Sequence, residues 1–232
     1  DTSSVARWIV RGAALAVAMA AAGCHAGTTE APAPIPAPAT RQTAHVMTAA
    51  HMHIGYYAYF PPGYDSQRPE RYPLLVFLHG SGERGNGTTE LPYVLRNGPP
   101  KLIDEGRDFP FIVITPQLPP KRLWKPDLVD GILNGIERQY PIDTTRVYLT
   151  GLSLGGHGTW LYAESHPSRI AAAVPIAGRG DPKHACAMKN VPVWAFHGGA
   201  DPIVPPSGSE NMLRALSACS PPPPTAPKLT IY

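Results

Sequence analysis

Gly151-Leu152-Ser153-Leu154-Gly155 sets a serine between two glycines, directly after the apolar run 146–150 and directly before a helical stretch. A serine at the tip of a tight strand-to-helix turn stands out from the sheet as a nucleophile, and its neighbours must be small for strand and helix to pack closely. Ser153 is the candidate nucleophile. Its place at a helix N-terminus lets the backbone N–H of Leu154 face a developing oxyanion. A second donor is expected from the glycine-rich loop His79-Gly80-Ser81-Gly82-Glu83-Arg84-Gly85, which follows the apolar run 74–78. The backbone N–H of Ser81 is the candidate, with Gly82 as the near alternative. Glu83 and Arg84 either orient this loop, meet a substrate group, or pair with each other at the surface. In the loop 197–205, after the apolar run 193–196, Asp201 is placed to receive the N–H of a catalytic imidazole and hold its tautomer. The competing reading makes Asp201 a cap for the helix that begins near Pro206.

These segments need a scaffold that brings loop tips together. Strands are predicted at 53–60, 74–78, 111–114, 146–150, 172–176, 193–196 and 229–232, and helices at about 90–105, 127–139, 155–166 and 206–218. Several strands are short continuous apolar runs, as parallel strands covered on both faces require. The repeated alternation predicts an α/β class, a doubly wound and mostly parallel sheet with its chemistry at the carboxyl ends of the strands.

Four stretches carry a family resemblance: YYAYFPPGY at 56–64, LLVFLHGSGERG at 74–85, RVYLTGLSLGGHGTW at 146–160 and VPVWAFHGGADPIVP at 191–205. Together they resemble the α/β-hydrolase serine esterases, in particular the predicted-peptidase, prolyl-oligopeptidase-like and dienelactone-hydrolase-like carboxylesterases. The resemblance implies Ser153 as nucleophile, Asp201 as triad acid, and Ser81 and Leu154 as oxyanion donors. It implies hydrolysis of a small-molecule or polymer-linked carboxylic ester through an acyl-enzyme, without metal or organic cofactor. Peptide or amide cleavage on the same fold is one alternative, and a non-catalytic binding module is the other. One departure stands out. The fold's order is serine, acid, histidine, yet all nine histidines precede Asp201. The base is therefore expected beyond Tyr232, with this chain an excerpt whose α/β-hydrolase domain is incomplete at its C-terminal end. His157, His79 and His197 lie near the motifs and are expected to pack or hold loops. His51 and His53 are expected to share a strand face, as a metal pair lacking a third ligand.

The composition agrees with one sizeable core: 43% of residues are apolar and 16% charged, with 22 Gly and 29 Pro. A net charge of +3 without any basic run excludes nucleic acid as the natural partner. Residues 1–24 read as an export signal, with Arg7 and Arg11 ahead of a small, uncharged apolar stretch. Ala21-Ala22-Gly23-Cys24 resembles the lipobox of bacterial lipoproteins, with Ala21 where leucine is usual, so lipidation at Cys24 is expected. That would place the protein at a bacterial cell envelope by lipid anchor, or otherwise in the periplasm or medium. Residues 25–44, rich in Pro and Ala, read as an extended spacer, and 45–232 as the catalytic domain. In an exported chain the remaining thiols, Cys186 and Cys219, are candidates for a disulfide.

Overall fold

The computed structural model describes residues 41–232, so the expected export signal, Cys24 and most of the spacer lie outside the described residues. Eight strands form one sheet in the order β1-β2-β4-β3-β5-β6-β7-β8. They are β1 (Thr43–Ala49), β2 (Met52–Tyr59), β3 (Tyr72–Leu78), β4 (Ile112–Pro116), β5 (Ile142–Leu152), β6 (Ala172–Ile176), β7 (Trp194–His197) and β8 (Lys228–Ile231). β1 and β2 make an antiparallel hairpin, β2 runs antiparallel to β4, and every other neighbouring pair is parallel. The hairpin turns at Ala50 and His51, both with positive φ (46° and 61°), the conformation that a two-residue connection between twisted strands demands. His51 therefore sits in the turn and does not share a strand face with His53.

Four helices cover the sheet: α1 (Gly98–Asp104), α2 (Pro126–Gln139), α3 (Leu154–Ser165) and α4 (Ser207–Ser217). Alternate strand residues serve opposite faces. Leu74, Val76 and Leu78 join Ile112, Val147 and Leu149 against α2, α3 and α4. Leu75, Val113 and Tyr148 face the other way and pack with Leu102 and Ile103 of α1. With both faces covered, the strands read as unbroken apolar runs. α2 shows how its sequence chooses its place. Pro126 opens it, Asp127 and Arg138 suit its dipole, and Leu128, Val129, Ile132, Leu133 and Ile136 form its buried stripe.

Two boundaries differ from expectation. β1 begins at Thr43, inside the segment read as spacer, and the helix expected over 90–105 is two pieces. A 3-10 turn at Leu91–Arg96 ends in the extended Asn97, and α1 restarts at Gly98 with φ +67°. A Cβ on Gly98 would lie 2.5 Å from the Phe77 ring, so the chain must turn here on a glycine.

Candidate active site

Ser153 alone makes the turn between β5 and α3, with φ 53° and ψ −109°. For a side chain other than glycine this is a strained conformation worth about 1–3 kcal/mol. It is held from both sides: the Ser153 N–H donates to Ile176 O at 2.8 Å, and Ser153 O accepts from the His157 N–H at 2.9 Å. The flanking glycines are obligatory by contact. A Cβ on Gly155 would sit 1.8 Å from Leu78 O, one on Gly151 2.4 Å from the Gly155 carbonyl, and one on Gly156 2.3 Å from Ile176 O. Strands β3, β5 and β6 thus converge beneath the serine. Leu154 opens α3, so its N–H is among those without an intrahelical acceptor. Among the described residues no protein group hydrogen-bonds the Ser153 hydroxyl.

The loop after β3 passes directly beside it. A Cβ built on Gly80 would lie 3.8 Å from Ser153 Cβ. The loop is pinned through its inner atoms. Leu118 N–H donates to His79 Nε2 at 2.9 Å, which leaves the ring proton on Nδ1, and Nδ1 reaches Gly80 O at 2.6 Å. The Trp124 indole N–H donates to His79 O at 3.0 Å. Burial holds the His79 pKa down at about 4, so the ring is neutral at ordinary pH. With Gly80 O turned toward His79, the trans peptide directs the Ser81 N–H the opposite way. That N–H has no acceptor among the described residues.

Glu83 and Arg84 do not pair with each other. The Arg84 Nε–H donates to Arg122 O at 3.0 Å. Glu83 is buried, and its Oε1 accepts from Asn97 Nδ2. Gln117, at the end of β4, donates from Nε2 to Glu83 O (3.0 Å) and Glu90 O (2.7 Å), and its Oε1 accepts from Gly87 N–H (2.8 Å). Asn97 and Gln117 are the residues that motif reading passes over, because each acts on the loop from a distant part of the chain.

Asp201 lies in the loop after β7. Its Oδ1 accepts from the Ile203 and Val204 N–H groups at 2.9 and 3.0 Å, and its Oδ2 is 3.8 Å from His197 Nε2. It shapes its own loop and does not cap α4, whose N-cap is Pro206. Two strand spacings, about 10 Å, separate the ends of β5 and β7, and no direct hydrogen bond joins Asp201 to Ser153. The end of β8 meets the same loop, with Gly199 N–H donating to Tyr232 O at 2.8 Å. The phenol of Tyr232 is pushed up by burial and by the Asp201 charge.

Of the histidines near the serine, His79 and His197 have both ring nitrogens engaged and His157 has one. His157 Nδ1 contacts Arg179 O, and His197 is fully buried between Ser209 Oγ and Val204 O, each 2.8 Å from a ring nitrogen. No group of three metal-ligating side chains is gathered among the described residues. Clefts of 330 and 650 Å³ lie elsewhere, at the β1–β2 turn beside Leu123 and at the opposite end of the strands around Arg71 and Tyr148. Cys186 and Cys219 are joined by a disulfide.

A family model described as "Putative esterase" matches residues 48–211. The chain belongs to this esterase family. A thermostable esterase of known structure is 29% identical and superposes with a TM-score of 0.66, over 83% of this chain and 54% of that one. A "Putative carboxymethylenebutenolidase" of Salmonella typhimurium is 38% identical over 88 residues, 34% of this chain and 32% of the relative. A bifunctional acetylxylan esterase/xylanase of Neocallimastix patriciarum is 33% identical over 86 residues, 37% of this chain but 13% of its own length. The chain shares the α/β-hydrolase fold of its structural neighbours, and the mostly parallel eight-stranded sheet is that fold's core.

Proposed function

We propose that the protein is a serine hydrolase that cleaves carboxylic esters through an acyl-enzyme on Ser153. The observation that carries this reading is the Ser153 turn: a strained serine with a free hydroxyl, packed against the Gly80 loop. Ser153 Oγ attacks the ester carbonyl, the N–H groups of Ser81 and Leu154 receive the oxyanion, and the alcohol leaves. Water then releases the acid. Asp201 orients the base. In this reading the base is a histidine beyond residue 232, because His79 and His197 have both ring nitrogens engaged and His157 sits on α3 one turn past the serine with Nδ1 on Arg179 O. Esters of small molecules or of a polysaccharide are the substrates that the relatives' descriptions favour, and lipidation at Cys24 would hold the enzyme at the cell envelope.

The test is a fluorophosphonate probe and an aryl acetate, both applied to the full-length protein. Labelling at Ser153 and turnover are expected, with Ser153→Ala abolishing the first and lowering kcat at least about a thousandfold. Labelling that persists in Ser153→Ala removes the nucleophile. Equal turnover by the full-length protein and by the 232-residue chain would remove the downstream base.

A further inference from the structure

We infer that Glu83 is a positioning residue that presets the oxyanion hole, an assignment that rests on the serine-hydrolase reading of the same site. Glu83 is a carboxylate with 7% exposure, placed in the loop that faces the nucleophile, and among the described residues it makes no ion pair with a lysine or arginine. Burying such a group costs stability unless it is satisfied, and its partners here are all parts of one device. Oε1 accepts from the amide of Asn97, the last residue before α1. Oε2 lies 3.9 Å from His79 Nδ1 and 3.1 Å from where a Cβ on Gly80 would be. The carboxylate therefore fills the space directly under the Gly80–Ser81 peptide, between the loop and α1.

That placement decides the orientation of the peptide. Gly80 O takes two donors from the interior, His79 Nδ1 at 2.6 Å and the Glu83 backbone N–H at 3.4 Å. Both come from residues that the Glu83 side chain touches or belongs to. Removing the carboxylate empties the floor of the turn, frees the Asn97 amide, and lets the Gly80–Ser81 peptide rotate. The Ser81 N–H would then lose its aim toward the serine. An oxyanion donor matters most once charge has developed, so the loss falls on the transition state and not on substrate binding. Glutamine keeps an acceptor for Asn97 and the same volume, and should hold the turn.

The experiment compares Glu83→Ala, Glu83→Gln, Asn97→Ala and Ser153→Ala in the full-length protein, with aryl acetate kinetics. Glu83→Ala is expected to lower kcat about 30- to 100-fold with KM within about twofold, somewhat less than the roughly 100- to 1,000-fold cost of deleting an oxyanion donor outright. Glu83→Gln should stay within about threefold of the parent, and Asn97→Ala should lose about tenfold in kcat, again without a KM change. Asn97→Ala and Glu83→Gln keep the test alive if Glu83→Ala does not fold. An unchanged kcat in Glu83→Ala and Asn97→Ala beside an inactive Ser153→Ala overturns this inference alone, and so does a rise in KM with kcat intact. Turnover that survives Ser153→Ala overturns the serine reading and this inference with it.

Discussion

Ser153 keeps its strained backbone because glycines at 151, 155 and 156 let the strand ends close around the turn and both its backbone groups are hydrogen-bonded, and that strain is measurable. Glycine adopts φ 53° and ψ −109° without penalty, whereas alanine does not. Ser153→Gly should therefore be more stable to urea than Ser153→Ala by about 1 kcal/mol, the strain released less the extra chain entropy of glycine. Equal midpoints in the two variants would show that the turn stores no strain. The pentapeptide 151–155 was legible in the sequence because its constraint is local: each glycine is required by a contact within the turn or with the adjacent strand end, such as Gly155 against Leu78 O. The support of Ser81 was not legible. Glu83 meets Asn97 and Gln117, which lie 14 and 34 positions away along the chain, and no spacing rule connects them.

Elements were readable to the extent that burial wrote a pattern into them. β3 and β4 lie under helices on both sides and announce themselves as apolar runs, whereas β1 is the edge strand, mostly exposed along its length, and Thr-Ala-His-Val-Met-Thr-Ala carries no such run, its first two residues falling in the stretch read as spacer. The break at Asn97 escaped notice because it is imposed by Phe77 against Gly98, a tertiary contact that overrides the apolar periodicity of 90–105. The disulfide is a tie between elements. Cys186 in the 3-10 turn Ala185–Met188 is bonded to Cys219, just beyond α4, across a sequence separation of 33. It fixes α4, which carries Ser209 against His197 at the base of the Asp201 loop. Closing a loop of this length restricts the unfolded chain by about 3–4 kcal/mol. Replacing both cysteines with serine should lower the free energy of unfolding by about that amount, measured in urea. A shift below about 1 kcal/mol would mean that packing around Met188 and Leu216 holds α4 unaided.

For the whole molecule, the sheet gathers three loop ends at the carboxyl edge of β3, β5 and β7, and one buried histidine ties the first of these to stability. His79 is neutral in the folded protein, its pKa lowered from 6.5 to about 4 by burial and by the neighbouring Arg84 charge, against the favourable contact with Gly80 O. The carboxylate of Glu83, 3.9 Å away, is the acidic group facing it. Between pH 6.5 and 4 the unfolded chain binds a proton at this position that the native state refuses, so stability present above pH 6.5 is lost as pH falls through that window. The loss from pH 6.5 to pH 5 amounts to about 1.5 kcal/mol from this group. His45, also lowered by burial, adds to the trend, whereas Glu164, raised by burial, takes up its proton earlier in the native state and opposes it at the acid end. Urea unfolding at pH 7, 6 and 5 should show the decline, and His79→Asn should flatten it by about 1 kcal/mol per pH unit below 6.5. Parallel profiles for parent and variant would mean that His79 takes up its proton as readily in the native loop as in the unfolded chain. The Nδ1 donor that aims the Ser81 N–H would then also have to be reassigned.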